Sequence, residues 1–392
     1  MKKKIKNKKL RIAVFCATEF PIPPDKKMKD IYAPLWLTYY LTEELVKRGH
    51  KVTLFASSDS ETKAKLASDG LTALVNNKNL KNFYYQVTEI YQKKFYQKLL
   101  EKRGVIDDYD YLLLSRLYQQ ALKRKFDIIY IDLIGLRPLP FAALCSTPTI
   151  FTLNNPLTPF NKFFFWQYKK RYPQIHFIAL TRSHAKPAPN LFTAIINNGI
   201  KIKNFKFNPK PKNYLLISGR IANEKGIFEA IKIAKLAKEK LLIVGRKTED
   251  NYWYKKVKPY IGGDIKFKGL IPYPEMPKYY ENAKAFIFPI QWEEPFGLTM
   301  IEAMACGTPV IAFQRGSVSE IVKNGKTGFI VNPFDKKGGT NINVFIEAIK
   351  KIDQIDRREC RKWVEENFTI EKMVSDYEKL YYRVLEKSGK LF

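Results

Sequence analysis

WEEPFGLTMIEAMACGTPV, residues 292–310, sets two carboxylates, Glu294 and Glu302, in an otherwise almost wholly apolar stretch. A carboxylate is costly to bury unless something binds it. AFIFP (285–289) just upstream is a short apolar run of strand type, so the segment reads strand, loop, helix. Pro295 fixes the loop, and Gly297 lets the backbone approach a ligand closely. Glu294 falls in the loop. Glu302 lies about two turns into the helix, among Met300, Ile301, Ala303, Met304 and Ala305. There it wants hydroxyls or amides as partners. A ribose diol is a natural one, as in dinucleotide sites where an acidic residue takes the ribose hydroxyls.

Upstream, YLLISGRIANEKG (214–226) has the same plan, with Arg220 and Lys225 in the loop where a helix opens. A helix N-terminus offers free N–H groups and partial positive charge. With a guanidinium and an ammonium added, the loop suits a diphosphate. Together the two loops supply cations for phosphates, a carboxylate for a ribose, and Glu294 for the hydroxyls of an attached sugar.

The βα alternation extends in both directions. LLIVG (241–245), IKFKG (265–269), PVIAF (309–313) and GFIV (328–331) read as further strands, and 226–240 as a helix with Ile227, Ala230, Ile231, Ala234 and Ala237 on one face. RIAVFCA (11–17), KVTLFA (51–56), DIIYI (127–131), TPTIFTL (147–153), IHFIAL (175–180) and FTAIIN (192–197) give an earlier set. Two long helical patterns are expected between Lys78 and Arg124, and two helical stretches at the end, 342–352 and 358 to about 386. The basic segment NNGIKIKNFKFNPKPKNY (197–214) lacks periodicity and marks the domain boundary. Strand, helix, strand with short connections predicts parallel sheets. Two doubly wound α/β domains would face a cleft, with ligands at the carboxyl ends of the strands.

The chain has 69 Lys and Arg against 38 Asp and Glu, a net charge of +31. That invites a polyanion, but the lysines read as a compositional bias scattered along every segment, so nucleic acid is not expected as a partner. Cys16, Cys145, Cys306 and Cys360 have no metal-ligand spacing and read as buried free thiols of a cytoplasmic protein. The start, MKKKIKNKKLRIAVFCATEF, reads as a basic tail and a first buried strand rather than a signal peptide. The longest uncharged run, 138–161, contains five prolines and several polar residues and is no membrane span. FYYQVTEIYQKKFYQKLLEKR (83–103) and NKFFFWQYKKRY (161–172) mix aromatics with cations. Core-facing aromatics with solvated lysines are the simpler account, and peripheral contact with an anionic membrane the sharper one.

EEPFGLTMIEAMACGTPVIA, with SGRIANEKG, the KGL stretch at 268–270 and GSVSEIVKNGKTGFIV, resembles the signature of the family 4 glycosyltransferases; LTEELVKRGHKVTLFASSDS, PTIFTLNNP and NNGI resemble the family less strongly. The resemblance implies the GT-B fold, with an acceptor-side Rossmann-like domain (1–208), a nucleotide-sugar-binding Rossmann-like domain (209–368) and a C-terminal helix (369–392) crossing back to the first. It implies a retaining transferase taking a UDP- or GDP-sugar, with a glycan or lipid-linked acceptor left open. No metal and no cofactor are implied. Arg220 and Lys225 would hold the diphosphate and neutralise the leaving group, Glu302 the ribose and Glu294 the donor sugar. Gly219, Phe296, Gly297, Leu298 and Thr299 would complete the donor site.

Two departures from the family pattern stand out. The loop PIPPDKKMKDIYAPL (21–35) has no glycine where many members have a glycine-rich loop, and Asn154 stands where many have a His. Asn can hydrogen-bond a hydroxyl but cannot shuttle a proton. His184, after a strand in LTRSHAK, is a candidate replacement; His50 and His176 read as structural. These departures motivate an alternative, a nucleotide-sugar-binding protein impaired in turnover. An epimerase or phosphorylase on the same plan is a further rival. No GxGxxG follows a strand, NGKTG (324–328) has Glu320 where a phosphate loop needs Gly, and DYD (108–110) reads as a solvated loop between helices.

Overall fold

Runs that are apolar on both faces suit parallel sheets covered by helices on each side, and the chain builds two such sheets. The structure is a computed structural model and describes residues 8–25, 33–77, 95–133, 135–247, 250–335 and 338–389.

The first sheet contains β1 (Arg11–Phe15), β2 (Lys51–Phe55), β3 (Lys65–Ala67), β4 (Ile128–Leu133), β5 (Thr149–Leu153), β6 (Ile175–Ala179) and β7 (Phe192–Ile195), in the order β3-β2-β1-β4-β5-β6-β7. The second contains β8 (Leu215–Ser218), β9 (Leu241–Val244), β10 (Ile265–Phe267), β11 (Ala285–Phe288), β12 (Val310–Phe313) and β13 (Gly328–Val331), in the order β10-β9-β8-β11-β12-β13. The pairings are parallel throughout. Every residue of β5, β8, β11 and β12 is buried. Strand β3 is an addition to the sequence reading; its three residues are too few to show a pattern.

The helices are α1 (Ala33–Lys47), α2 (Phe95–Leu122), α3 (Leu139–Ala143), α4 (Pro159–Arg171), α5 (Arg182–Ala185), α6 (Ile227–Ala237), α7 (Met276–Asn282), α8 (Leu298–Ala305), α9 (Val318–Ile321), α10 (Ile342–Lys350), α11 (Arg357–Asn367) and α12 (Ile370–Lys387). Of the aromatic and basic segment 83–103, residues 83–94 lie outside the described residues. The last helical stretch breaks in two at Phe368–Thr369. Ile200 pairs with the break, its N–H donating to the Phe368 carbonyl (2.9 Å) and its carbonyl accepting from Ile370 (3.2 Å). The Thr369 side chain caps the new helix by accepting from the Lys372 N–H. Helix α12 then packs into the first lobe, contributing Ile370, Val374, Tyr377, Tyr381 and Leu385 to its core. Tyr377 shares a 2.6 Å hydrogen bond with Thr152 of β5, and Glu378 receives His50 (2.9 Å) and Arg48 (3.1 Å).

The DYD reading needs correction. Residues 108–110 lie within α2, and although Asp108 is exposed, Asp110 is buried. One Asp110 oxygen accepts from the Thr18 N–H (2.9 Å) and hydroxyl (2.8 Å), and the other lies 3.0 Å from Arg137. Arg137 also pairs with Asp107 at 2.5 Å. The helix carboxylate thus anchors Thr18 in the segment that leaves β1. Removing it would leave the buried Thr18 N–H and hydroxyl without their acceptor, while Arg137 keeps Asp107. Asp110→Ala should therefore lose about 1–3 kcal/mol of stability, read as a shift in the urea midpoint.

Candidate active site

In each sheet the strand order reverses once, between β1 and β4 and between β8 and β11. Ligands of doubly wound domains bind outside the carboxyl ends of strands at such reversals. The two loops singled out from sequence leave β8 and β11, the neighbouring strands at the second reversal.

The β8 loop runs through Gly219 and Arg220 to a single turn at Asn223–Lys225, then to Gly226 at φ +69° before α6. A Cβ on Gly226 would overlap the Pro289 carbonyl oxygen, so only glycine lets the two loops meet. The Gln291 N–H donates to the Glu224 carbonyl (2.9 Å), stitching them together. Arg220 is half exposed and pairs with Glu224 at 2.9 Å.

Lys225 Nζ lies 2.7 Å from Glu294 Oε2 and 4.6 Å from the centre of the Trp292 ring. The indole N–H of Trp292 donates to the same Glu294 oxygen at 2.9 Å. The expected phosphate cation and sugar carboxylate are thus together, each neutralising the other. Gly297, at φ +83°, turns the chain into α8, where a Cβ would press on the Met300 side chain. Phe296 is buried, while Leu298 and Thr299 are half-buried in the first turn of α8. Leu298 packs against the cores of both lobes. Ser317 fixes the loop from behind: its N–H donates to the Glu294 carbonyl (2.9 Å) and its hydroxyl to that of Phe296 (2.6 Å).

Glu302 is only 3% exposed. Sequence reasoning gave its hydroxyl partners to a ribose; in this structure two phenols serve. Tyr273 donates to Oε1 (2.9 Å) and Tyr280 to Oε2 (2.8 Å), and Ser218 of β8 lies 3.0 Å from the Tyr280 hydroxyl. Burial raises the Glu302 pKa above the ordinary carboxylate range, and the two phenol hydrogen bonds oppose the rise. Tyr280 is buried, whereas Tyr273 is partly exposed and meets Trp36 of α1, in the other lobe, with ring centroids 5.6 Å apart. Neither tyrosine was singled out from sequence. The signal available was a carboxylate needing donors and a Tyr-rich stretch, IPYPEMPKYY (271–280), just before β11.

In the first lobe, the Asn154 amide donates to Asp132 (2.9 Å), whose other oxygen accepts from Thr38 (2.9 Å). Burial pushes the Asp132 pKa up to about 6 against the hydrogen bonds from Asn154 and Thr38. His184 follows β6 as expected, but both ring nitrogens are engaged. Nδ1 accepts from the Leu180 N–H (3.3 Å), which leaves Nε2 to donate to the Asn155 carbonyl (3.0 Å). Burial lowers its pKa to about 4, so the ring is neutral and pins the Asn155 loop. It is not a free base. The lobes also meet through the Thr181 hydroxyl, which donates to the Pro295 carbonyl (2.9 Å), and through Glu320, which accepts from the N–H groups of Arg182 (2.9 Å) and Ser183 (2.7 Å).

Residues 200–362 match the family described as "Glycosyl transferases group 1". The chain is similar to N-acetyl-alpha-D-glucosaminyl L-malate synthase of Bacillus anthracis, 36% identical over 101 residues (25% of this chain, 26% of that protein). It is also similar to the lipopolysaccharide 1,2-N-acetylglucosaminetransferase of Salmonella typhimurium, 32% identical over 165 residues (36% and 43%). The chain thus spans roughly a quarter to under a half of the length of these relatives. In fold it is similar to AviGT4, a glycosyltransferase involved in avilamycin A biosynthesis (TM-score 0.67, 16% identity, 96% of this chain and 98% of that one). The Anabaena protein HepE, solved with UDP and glucose, aligns with a TM-score of 0.65 at 17% identity over 95% and 99%. The fold is GT-B.

Tyr273→Phe removes one donor from a buried carboxylate. It should destabilise the protein by about 1–3 kcal/mol, read as a shift in the urea midpoint. Asp132 provides a pH test. A carboxyl with a raised pKa binds protons more tightly in the folded state, so wild-type stability falls as pH rises from the ordinary 3.8 to about 6 and levels off above. In Asp132→Asn the Asp132 share of that fall should disappear from the melting-temperature profile, leaving the share of Glu302 and Asp110, whose pKa values burial also raises.

Proposed function

We propose, from the premise that residues 200–362 form a group 1 glycosyltransferase domain within a GT-B frame, that this protein is a retaining glycosyltransferase. It moves a sugar from a nucleotide-diphospho-sugar, UDP- or GDP-linked, to an acceptor bound on the first-lobe side. The observation that carries this reading is the meeting of Lys225, Glu294 and Trp292 at the β8/β11 reversal, with Glu302 buried in the helix behind them.

In this reading the donor diphosphate takes Lys225 away from Glu294 and draws in Arg220. Charge on the departing phosphate is then stabilised by fixed cations, with no metal required. Glu294, released, accepts hydrogen bonds from the sugar hydroxyls, and Glu302 accepts from the ribose in place of Tyr273. The bond from the anomeric carbon to the phosphate oxygen breaks through an oxocarbenium-like state. The acceptor oxygen bonds that carbon on the same face, and its proton passes to the departing phosphate. No side-chain base is needed, which fits a first lobe offering Asn154 and an occupied His184.

Lys225→Ala should weaken nucleotide-sugar binding by about tenfold to a hundredfold in calorimetry, and Glu302→Ala should weaken it as well; unchanged affinity in both would refute the assignment. With a competent acceptor, the proton NMR coupling at the anomeric carbon should report retained configuration, and EDTA should leave the rate unaltered.

A further inference from the structure

The positive charge is less evenly spread than composition suggests. Between Asp132 and Glu224 the chain holds thirteen Lys and Arg and no Asp or Glu. Helix α4 lies inside this acid-free stretch. Thr158 caps it, accepting from the Asn161 N–H, and Lys169, Lys170 and Arg171 occupy its last turn.

At helical spacing, residues 160, 163, 164, 167, 170 and 171 share one stripe. They are Phe, Phe, Phe, Gln, Lys and Arg. The opposite side carries buried Phe165 in the lobe core. Phe160 and Phe163 are 63% and 57% exposed, and Phe164 packs against both, with ring centroids 4.9 and 5.2 Å away. Lys162 and Lys169 turn aside to the Pro187 carbonyl (2.7 Å) and the Thr193 hydroxyl (3.0 Å). Lys170, 5.4 Å from the Trp166 ring centre, and Arg171, which donates to Gln167 one turn back, stand exposed at the end of the stripe. Beside it, a groove of about 530 Å³ is lined by Phe163, Trp166, Pro187, Pro189 and Leu191.

We propose that this α4 face docks on an anionic lipid bilayer, with Phe160 and Phe163 entering the acyl boundary and Lys170 and Arg171 meeting headgroup phosphates. Apolar tips and cations along one helix stripe suit a helix lying parallel to a membrane surface. The acid-free stretch leaves no carboxylate side chain of its own to repel the phosphates. A duplex would use the cations but leave the two phenylalanines in water; a single strand stacking its bases on them is the outcome that the gel shift below separates. Helix α4 starts only a few residues after Asn154, so docking would bring the first-lobe side of the cleft to the membrane. The inference is independent of the transferase reading.

Flotation with phosphatidylcholine vesicles, with and without phosphatidylglycerol, tests it. The wild-type chain should float with the anionic vesicles and not with the neutral ones. The double variants Phe160→Ser/Phe163→Ser and Lys170→Glu/Arg171→Glu should each weaken flotation about tenfold or more while keeping the wild-type melting temperature and UDP affinity. Failure to float with anionic vesicles would overturn the proposal. So would a serine variant that floats like wild type, since generic positive charge would then suffice. RNA binding in a gel shift that outcompetes the vesicles would overturn it in favour of nucleic acid. Loss of UDP binding by the wild type would bear on the transferase reading alone.

Discussion

The 2.7 Å ion pair between Lys225 and Glu294 joins the loops leaving β8 and β11, and the rest of the site is arranged around it. Both side chains are largely buried, so neither charge is tolerable alone. Trp292 supports the pair from both sides, donating its N–H to the carboxylate and presenting its ring to the ammonium. In the proposed reaction such a pair would hold the phosphate-binding cation in place before the donor arrives. It also keeps the Glu294 carboxylate from unpaired burial in the free protein.

Glu302 follows the same logic with neutral partners. A carboxylate surrounded by methionine, isoleucine and alanine would be prohibitive to bury without donors. Tyr273 and Tyr280 provide them from the short turn and helix before β11. The two phenols differ in reach: Tyr280 is locked in the core, whereas Tyr273 faces Trp36 across the lobes. Glu302 thus has one donor fixed in its own lobe's core and one that also touches the other lobe.

The lobes are joined by more than a linker. Helix α12 begins at the break beside Ile200 and lies in the first lobe's core, and Glu320 of the second lobe caps the start of α5 in the first. Thr181 holds the Pro295 carbonyl within the loop that leaves β11. First-lobe residues therefore help to shape the second-lobe loop.

Much of this was legible in the chain. The apolar runs at β8, β11 and β12 are buried on both faces, so their composition declared them without any neighbour. The placement of Arg220, Lys225 and Glu294 in the loops leaving β8 and β11 followed because the carboxyl end of a parallel strand opens into a loop. What sequence could not show were contacts between residues far apart in the chain. Asp110 lies 92 residues from Thr18, and its solvated-loop reading failed because nothing local reveals a partner at that distance. The same holds for His184, whose nitrogens are spoken for by Leu180 and by Asn155, 29 residues away. The sequence by itself determined the two parallel sheets and the loops that carry the charges, because periodicity and strand-end placement are local properties. Only the tertiary structure decided which donors satisfy Glu302, that both ring nitrogens of His184 are engaged and which lysines face water, because hydrogen-bond partners are chosen by packing across the sheets and between the lobes.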